Sequence, residues 1–377
     1  MLRSSDLLAA AAAVVVVAAG ALTSCTCKRG GDAAKSDGSN PQSQATDAAS
    51  AAPEPKVVAL YIWGNYIDPS LVQEFEKKTG IKVQESNYDS NEALLAKVQA
   101  GATGFDIAVP SDYMVTMMAG MGLLEELEKA KIPNVANIDP RFMSRAYDAE
   151  NKFALPYSWT IGGIAVNKTA YPDPVTSWKD LLDNPKVTGK FSLLDDVRET
   201  MGAVLKYHGF SVNSTKPDEL QKAKATLLAA KKSVKAFTSS PADLLKNGDV
   251  VMAHMYSQEA LQAKRDTGGK IDFVIPTEGA SMAIDNIVIL KGAPHPAEAY
   301  AFINYIYEMA SNSVNVAKIF TGPVVKNVRT LVPADVQNEA NLFPTDATFA
   351  KTEMLQDLGE ATAEYDRIWS EIKAAAH

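Results

Sequence analysis

Short apolar runs alternate along most of this chain with segments whose apolar positions repeat every three or four residues. Residues 57–63 are β-branched and aromatic and are closed by Gly64 and Asn65, the pattern of a buried strand followed by a turn. Asp68-Pro69-Ser70 then opens a helix with Leu71, Val72 and Phe75 on its apolar face and Gly80 as its C-terminal cap. A second strand begins at Ile81, a second helix covers 91–99, and a third strand covers 105–109 and stops at Pro110-Ser111. Residues 153–167 are extended, with Gly162 and Gly163 inside the run marking a bend or a close backbone approach. Beyond them come a helix over 177–182, a strand ending at Leu194, and helices starting at Asp196 and spanning 216–232. Strands follow at 250–256, 271–276 and 284–290, then a helix over 296–309 and a C-terminal helix over 346–375. Strand–helix alternation of this kind predicts doubly wound α/β structure.

The first 55 residues do not share this pattern. An apolar run over 7–22, too short for a comfortable membrane span, follows Arg3 and ends in Leu22-Thr23-Ser24-Cys25, which resembles a bacterial lipobox. Residues 1–24 are therefore expected to be a lipoprotein signal peptide, with Cys25 the lipidation site. Acylated Cys25 leaves Cys27 without an intramolecular disulfide partner. Residues 25–55 are rich in Ala, Ser, Gly, Asp and Pro and cannot bury enough surface to fold, so they predict a disordered tether. The remaining body is larger than one core usually serves and suggests two lobes.

Formal net charge is −8, from 37 Lys and Arg against 45 Asp and Glu. Loss of residues 1–24 removes one base and one acid and leaves that balance unchanged. An acidic surface argues against nucleic acid and suits a cationic ligand. The four histidines (His208, His254, His295 and His377) lack metal-ligand spacing, and no phosphate-binding glycine loop, nucleophile elbow or Ser-His-Asp order is present. Neither a metal, a cofactor nor an enzymatic activity is expected.

Phe191-Ser192-Leu193-Leu194-Asp195-Asp196-Val197-Arg198-Glu199 is the stretch richest in candidate chemistry. Its structural reading is a strand-to-helix turn, with Asp196 as N-cap and Glu199 at capping-box spacing. Ligands in open α/β sheets bind at the carboxyl ends of strands, so the same acids also face a crevice suited to an organic cation. Asp285 lies inside the apolar run 284–290. A buried acid there costs several kcal/mol if unpaired, which favours a cationic partner. Arg198 is the alternative partner for one of these acids. Trp63 can equally be core, and Tyr113 an aromatic at a helix start.

The order of motifs resembles the periplasmic spermidine/putrescine-binding proteins of polyamine ABC transporters. It is carried by Tyr61-Ile62-Trp63-Gly64-Asn65-Tyr66, Phe105-Asp106-Ile107-Ala108-Val109-Pro110-Ser111-Asp112-Tyr113, Leu155-Pro156-Tyr157, Gly163-Ile164-Ala165-Val166-Asn167, Thr176-Ser177-Trp178, Leu194-Asp195-Asp196-Val197-Arg198-Glu199 and Pro276-Thr277-Glu278-Gly279. The resemblance implies a two-lobed, type II-like periplasmic-binding-protein fold, two doubly wound α/β domains joined by crossover segments near 157–167 and 274–286. Lobe 1 would comprise 56–158 plus about 286–320, and lobe 2 would comprise 159–285 plus about 321–377. It implies a linear polyamine between the lobes, walled by Trp63, Tyr66, Tyr113 and Tyr256, with Ser111 beside it and Asp196, Glu199 and Asp285 on its ammonium groups. Family aromatics fall at Ala283 and Gly322, and a glutamine falls near Leu355, next to Gln356. Those departures predict a wider, less apolar end of the cleft. The implied setting is a monomeric, lipid-anchored protein of the cell envelope or periplasm that serves ABC permease subunits. The alternatives are a ligand-sensing or signalling lipoprotein on the same fold, and a hydrolase built on the carboxylates at 195, 196 and 199.

Overall fold

A computed structural model of the chain describes residues 56–101 and 104–375. The expected signal peptide, the lipidation site Cys25, Cys27 and the tether all lie outside the described residues.

The first strand, β1 (Val57–Trp63), forms as its apolar run predicts. Helix α1 (Pro69–Thr79) starts where the Asp68 carboxylate accepts the Ser70 N–H at 2.9 Å. It ends at Gly80, whose φ of 73° lies in the left-handed region where other residues are strained. Strand β2 (Lys82–Tyr88), helix α2 (Asn91–Gln99), strand β3 (Ile107–Ala108) and helix α3 (Asp112–Gly120) follow. β3 is shorter than expected, and beside it the buried Asp106 carboxylate takes the Ala59 and His295 N–H groups at 2.7 and 2.6 Å.

Strand β4 (Ala154–Asn167) is a single 14-residue run. After it come helix α4 (Lys179–Leu182), strand β5 (Phe191–Leu194), helix α5 (Val197–Tyr207), helix α6 (Pro217–Lys231) and strand β6 (Ala236–Thr238). Strands β7 (Met252–Tyr256), β8 (Ile271–Val274), β9 (Ala280–Ile289) and β10 (Thr352–Met354) complete the sheet. Parallel strands run β2-β1-β3, with β9 antiparallel beside β3. The same arrangement recurs as β6-β5-β7 with β4 antiparallel beside β7. This repeated α/β unit is the two-lobed doubly wound class that the alternation predicts.

β4 and β9 tie the two units together. β4 pairs with β9 from Ala154 to Ile161, with β7 from Gly162 onward and with β8 from Ile164 onward. The partner changes at the glycine pair. A side chain at Gly163 would lie 2.5 Å from the Phe273 ring, so that glycine is needed for the strands to approach.

Two expected helices are corrected. The segment 296–309 forms two helices, Pro296–Ile306 and Met309–Ile319, because Glu308 is extended (ψ 134°). The break leaves buried Tyr307 to donate its hydroxyl to the Pro156 carbonyl at 2.9 Å. The single C-terminal helix is instead a short turn, Asp346–Phe349, then β10 in parallel against β9, then helix Thr362–Ala374. Sheet pairing of Glu353 with Ser281 overrides local helix propensity there. Strand β6 and helices Pro241–Lys246 and Ser257–Asp266 are additional to the expected elements.

Trp159 on β4 is among the largest fully buried side chains. Its indole N–H donates to the Pro323 carbonyl at 2.9 Å. An added Cβ at Gly322 would sit 2.1 Å from the Trp159 carbonyl oxygen and 2.5 Å from its ring. Overpacking at such a point costs about 1–3 kcal/mol or more. Gly322→Ala should therefore lower stability by at least about 1 kcal/mol in urea unfolding, and wild-type stability in that variant would contradict the packing.

Candidate functional site

Asp285 is held by two hydroxyls from different segments. The Tyr66 hydroxyl, in the loop between β1 and α1, donates to its Oδ2 at 2.5 Å. The Ser111 hydroxyl, at the start of α3, donates to its Oδ1 at 2.7 Å, across an isolated antiparallel bridge between the two residues. Asn91 steadies Ser111, accepting its N–H at 3.1 Å and donating to its hydroxyl at 3.0 Å. The carboxyl of Asp285 is 8% exposed. Burial pushes its pKa up, and the two donors pull it back.

Tyr113 is fixed one turn away. Its hydroxyl receives an Asn91 N–H at 3.1 Å and donates to Glu92 at 3.1 Å. Trp63, at the end of β1, donates its indole N–H to the Val109 carbonyl at 2.9 Å and packs on Tyr88. It is half-buried, so it is neither plain core nor a free surface ring.

On the other unit, Asp196 is exposed and accepts the Glu199 N–H at 3.0 Å, as an N-cap should. Glu199 does not complete the capping box. Its carboxylate turns instead to the hydroxyl of Ser281 on β9. Glu199 is 3% exposed, and burial, reinforced by the charge of Asp196, pushes its pKa up to about 8. Gly162 makes this placement possible, because a Cβ there would lie 2.7 Å from the Ser281 hydroxyl and 3.2 Å from the carboxylate. Tyr256 pairs with Gly162 across the strands and feels the charges of Glu199, Asp196 and Asp285. Burial first, then those charges, raise its phenol pKa far above the usual value.

One face of β9 therefore links both clusters. Ser281, Ala283 and Asp285 alternate onto it. Ser281 holds Glu199, and Asp285 holds Tyr66 and Ser111, about 13 Å further along at the usual strand rise. The expected site residues span more than two hundred chain positions, and β9 joins Tyr66, Ser111 and Asp285 at one point and Glu199 at another. Trp63, Tyr113 and Asp196 are held away from β9, by Val109, by Asn91 and Glu92, and by the Glu199 N–H.

Sequence reasoning missed Asp112, Asn91, Ser281 and His254. Asp112 is 3% exposed at the first position of α3, and burial pushes its carboxyl up to about 7, with the Tyr113 N–H opposing and Asp285 adding. An acid directly after Ser111 at a helix start was the available signal. His254 is 1% exposed, neither ring nitrogen has a partner, and burial lowers its pKa to about 3. It stays neutral beneath Gly162, edge-on to Trp178.

Arg198 forms no ion pair with the acids, and its charge only partly opposes the burial that raises Glu199. Its guanidinium donates to the Gln356 carbonyl and to Asn213 at 2.9 and 3.0 Å, over the Tyr365 ring. Asp195 pairs with Lys373 at 2.8 Å and leaves the set. Among the described residues, no lysine or arginine forms an ion pair with Asp112, Glu199 or Asp285, and no group of three or more His, Cys, Asp or Glu is arranged to hold a metal ion.

The expected widening of the cleft is half corrected. Ala283 is half-exposed on the Asp285 face, opposite Thr160. Gly322, in contrast, is buried, and the Trp159 ring fills the space a side chain would need. Leu355 is half-buried and Gln356 exposed.

These carboxyls have a stability consequence. Glu199 ionises near 4.5 when exposed and at about 8 when folded, so between those values only the folded state holds the proton. Its contribution is fully present below pH 4.5 and is lost as pH rises through 8. Asp112 adds the same sign between 3.8 and about 7. Glu199→Gln should make the ligand-free protein more stable at pH 9 by about 1–3 kcal/mol, with little change at pH 4, since each pK unit corresponds to about 1.4 kcal/mol. Urea unfolding at both pH values checks it, and an equal change at both would refute the buried-charge account.

The family model described as bacterial extracellular solute-binding protein matches residues 70–345. The putrescine/cadaverine-binding protein of Pseudomonas aeruginosa is 33% identical over 328 residues, covering 83% of this chain and 92% of that protein. The spermidine/putrescine-binding periplasmic protein of Escherichia coli is 34% identical over 319 residues, covering 84% and 91%. Among solved structures, the spermidine/putrescine ABC transporter substrate-binding protein PotD of Streptococcus pneumoniae, in complex with calcium and HEPES, superposes with a TM-score of 0.79. It shares 30% identity and covers 84% of this chain and 98% of its own. The TpPotD lipoprotein of Treponema pallidum gives 0.76, with 30% identity and coverage of 84% and 99%. With a match over residues 70–345 and one third identity to these relatives, this chain belongs to the bacterial extracellular solute-binding proteins, a family that binds solutes and does not catalyse.

Proposed function

We propose that this chain is the solute-binding component of an ABC importer and that its ligand is a polyamine or a closely related organic cation. The observation that carries the reading is the pair Glu199 and Asp285. Both are buried carboxyls at separate points of one β9 face, oriented by hydroxyls and without an ion pair among the described residues. Buried acids of this kind are stabilised by a partner that brings its own charge. A polyamine does so at intervals, with methylenes between its ammonium groups that require apolar or aromatic walls. The relatives from Pseudomonas aeruginosa and Escherichia coli are named for binding putrescine, cadaverine or spermidine.

In this reading Asp285, held by Tyr66 and Ser111, receives one ammonium and Glu199, held by Ser281, receives another. Asp196 adds negative charge at the exposed edge. Trp63, Tyr113 and Tyr256 wall the methylenes, each cation–π contact contributing about 0.5–2 kcal/mol. The lobes divide as 56–158 plus about 286–320 against 159–285 plus 321–377, and the change of strand partner at Ile161 and Gly162 supports a hinge there. Closure about it excludes water and strengthens each charge contact. Cys25 would carry the lipid that keeps the protein at the membrane beside its permease.

Asp285→Asn and Glu199→Gln should each weaken putrescine or spermidine binding at least tenfold, as losing one charge-assisted contact of about 1.5–3 kcal/mol requires. Titration calorimetry measures it, and unchanged affinity in both variants would remove the carboxylate assignment. A thermal-shift panel of polyamines, agmatine, neutral sugars and anionic amino acids decides the ligand class, since stabilisation follows RT ln(1 + [L]/Kd). Stabilisation by a sugar or an anion with none from an amine would overturn the reading.

Protons provide a separate test. An ammonium binds the ionised form of Glu199, whose proton is still held at pH 7. Affinity should therefore rise between pH 6 and 8, with a proton released into the buffer. Calorimetry in two buffers of different ionisation enthalpy reads that release directly. Binding that is independent of both pH and buffer would contradict it.

A further inference from the structure

The opposite side of the β4–β9 ribbon holds a second cavity, of about 460 Å³. Trp159 contributes to its floor, and its strand neighbour Ser158 pairs with Asp285. Alternation along the strand puts the two side chains on opposite faces of the sheet. The cavity is therefore separated from the carboxylates by one sheet thickness.

Its interior is aromatic. Trp159, Phe142 and Phe349 form a mutually packed trio, Trp159 nearly parallel to Phe142 at 6.4 Å and edge-on to Phe349 at 5.2 Å, with Phe142 and Phe349 6.1 Å apart. Phe343 adds a fourth ring at the margin. The rim is cationic: Arg141, Lys326 and Arg329. Arg141 is neutralised by Asp139 and Asp346. Lys326 and Arg329 form no ion pair among the described residues, although the charge of Lys326 acts on Asp139, which also lines the cavity. Arg329 uses its Nε to reach the Gln337 carbonyl at 2.8 Å and rests over the Phe343 ring.

A volume in the small-ligand range, an apolar floor and a few convergent polar groups are the features of a binding pocket. Three cations against one lining carboxylate, two of those cations outside any ion pair, at the edge of packed rings select a flat organic anion. We propose that this cavity binds a planar aromatic carboxylate, its ring against the half-buried Phe349 and Phe343 above the buried Trp159 and its carboxylate between Lys326 and Arg329. The site is distinct from the amine site in position and opposite to it in charge preference, and it does not depend on the identity of the amine.

The four tryptophans of the chain give a local readout. In the full chain labelled with ¹⁵N at tryptophan, the indole resonance of Trp159, assigned with Trp159→Phe, should shift saturably on titration with 2-naphthoate. The resonance of Trp178, buried elsewhere, should not. 2-Naphthylmethylammonium, with the same ring and the opposite charge, should leave Trp159 unmoved. Lys326→Glu with Arg329→Glu should weaken naphthoate at least tenfold while amine affinity stays at the wild-type value, and the double glutamine variant should fall between. An unmoved Trp159 resonance, equal binding of the cation, or undiminished naphthoate affinity in both double variants would each overturn the proposal.

Discussion

Carboxyl groups held out of water with hydroxyl partners in place of cations are what the rest of this structure is arranged around. A carboxylate that loses hydration needs a positive neighbour or keeps its proton. Asp285 and Glu199 receive neither a lysine nor an arginine among the described residues, only the hydroxyls of Tyr66, Ser111 and Ser281. Hydroxyl donors orient a carboxylate without cancelling its charge, and that leaves the charge available to a ligand. Arg198, whose charge reaches Glu199, spends its hydrogen bonds on the Gln356 carbonyl and Asn213.

Two long antiparallel strands make that arrangement possible. β4 and β9 each belong to one α/β unit for part of their length and cross toward the other. Because side chains alternate with period two, Ser281, Ala283 and Asp285 on one strand and Ser158, Thr160 and Gly162 on the other share a face. Missing side chains matter as much as present ones. Gly162 leaves room for the Glu199 carboxylate and Ser281, while Gly163 admits Phe273. On the reverse face the same strands present Trp159, whose ring packs against Gly322, Phe142 and Phe349. One ribbon thus carries an acidic face and an aromatic one.

Stability and binding make opposite demands on the acidic face. Burial raises the carboxyls of Asp112 and Glu199 into the neutral range, so their ionisation opposes folding just where it favours a cation. A chain built for stability alone would carry amides at these positions, and buried ionisable groups with perturbed pKa values are candidates for a binding role.

Local pattern alone determined the strand–helix alternation, the caps of α1 and α5 and the repeat of a doubly wound unit, because hydrophobic period and cap chemistry act within a few residues. It also singled out Asp285, since an acid in an apolar strand is anomalous wherever that strand goes. Tertiary structure decided the rest. Whether Glu199 completes a capping box or turns to Ser281 depends on a strand eighty residues away. Arg198 is a neutralising partner or a bystander according to where the C-terminal segment passes, and that segment is partly strand because β9 offers it an edge. The gap expected at Gly322 is closed by a tryptophan from another strand. Each of these turns on which distant atoms become neighbours, a property of the assembled sheet that no short window of residues contains.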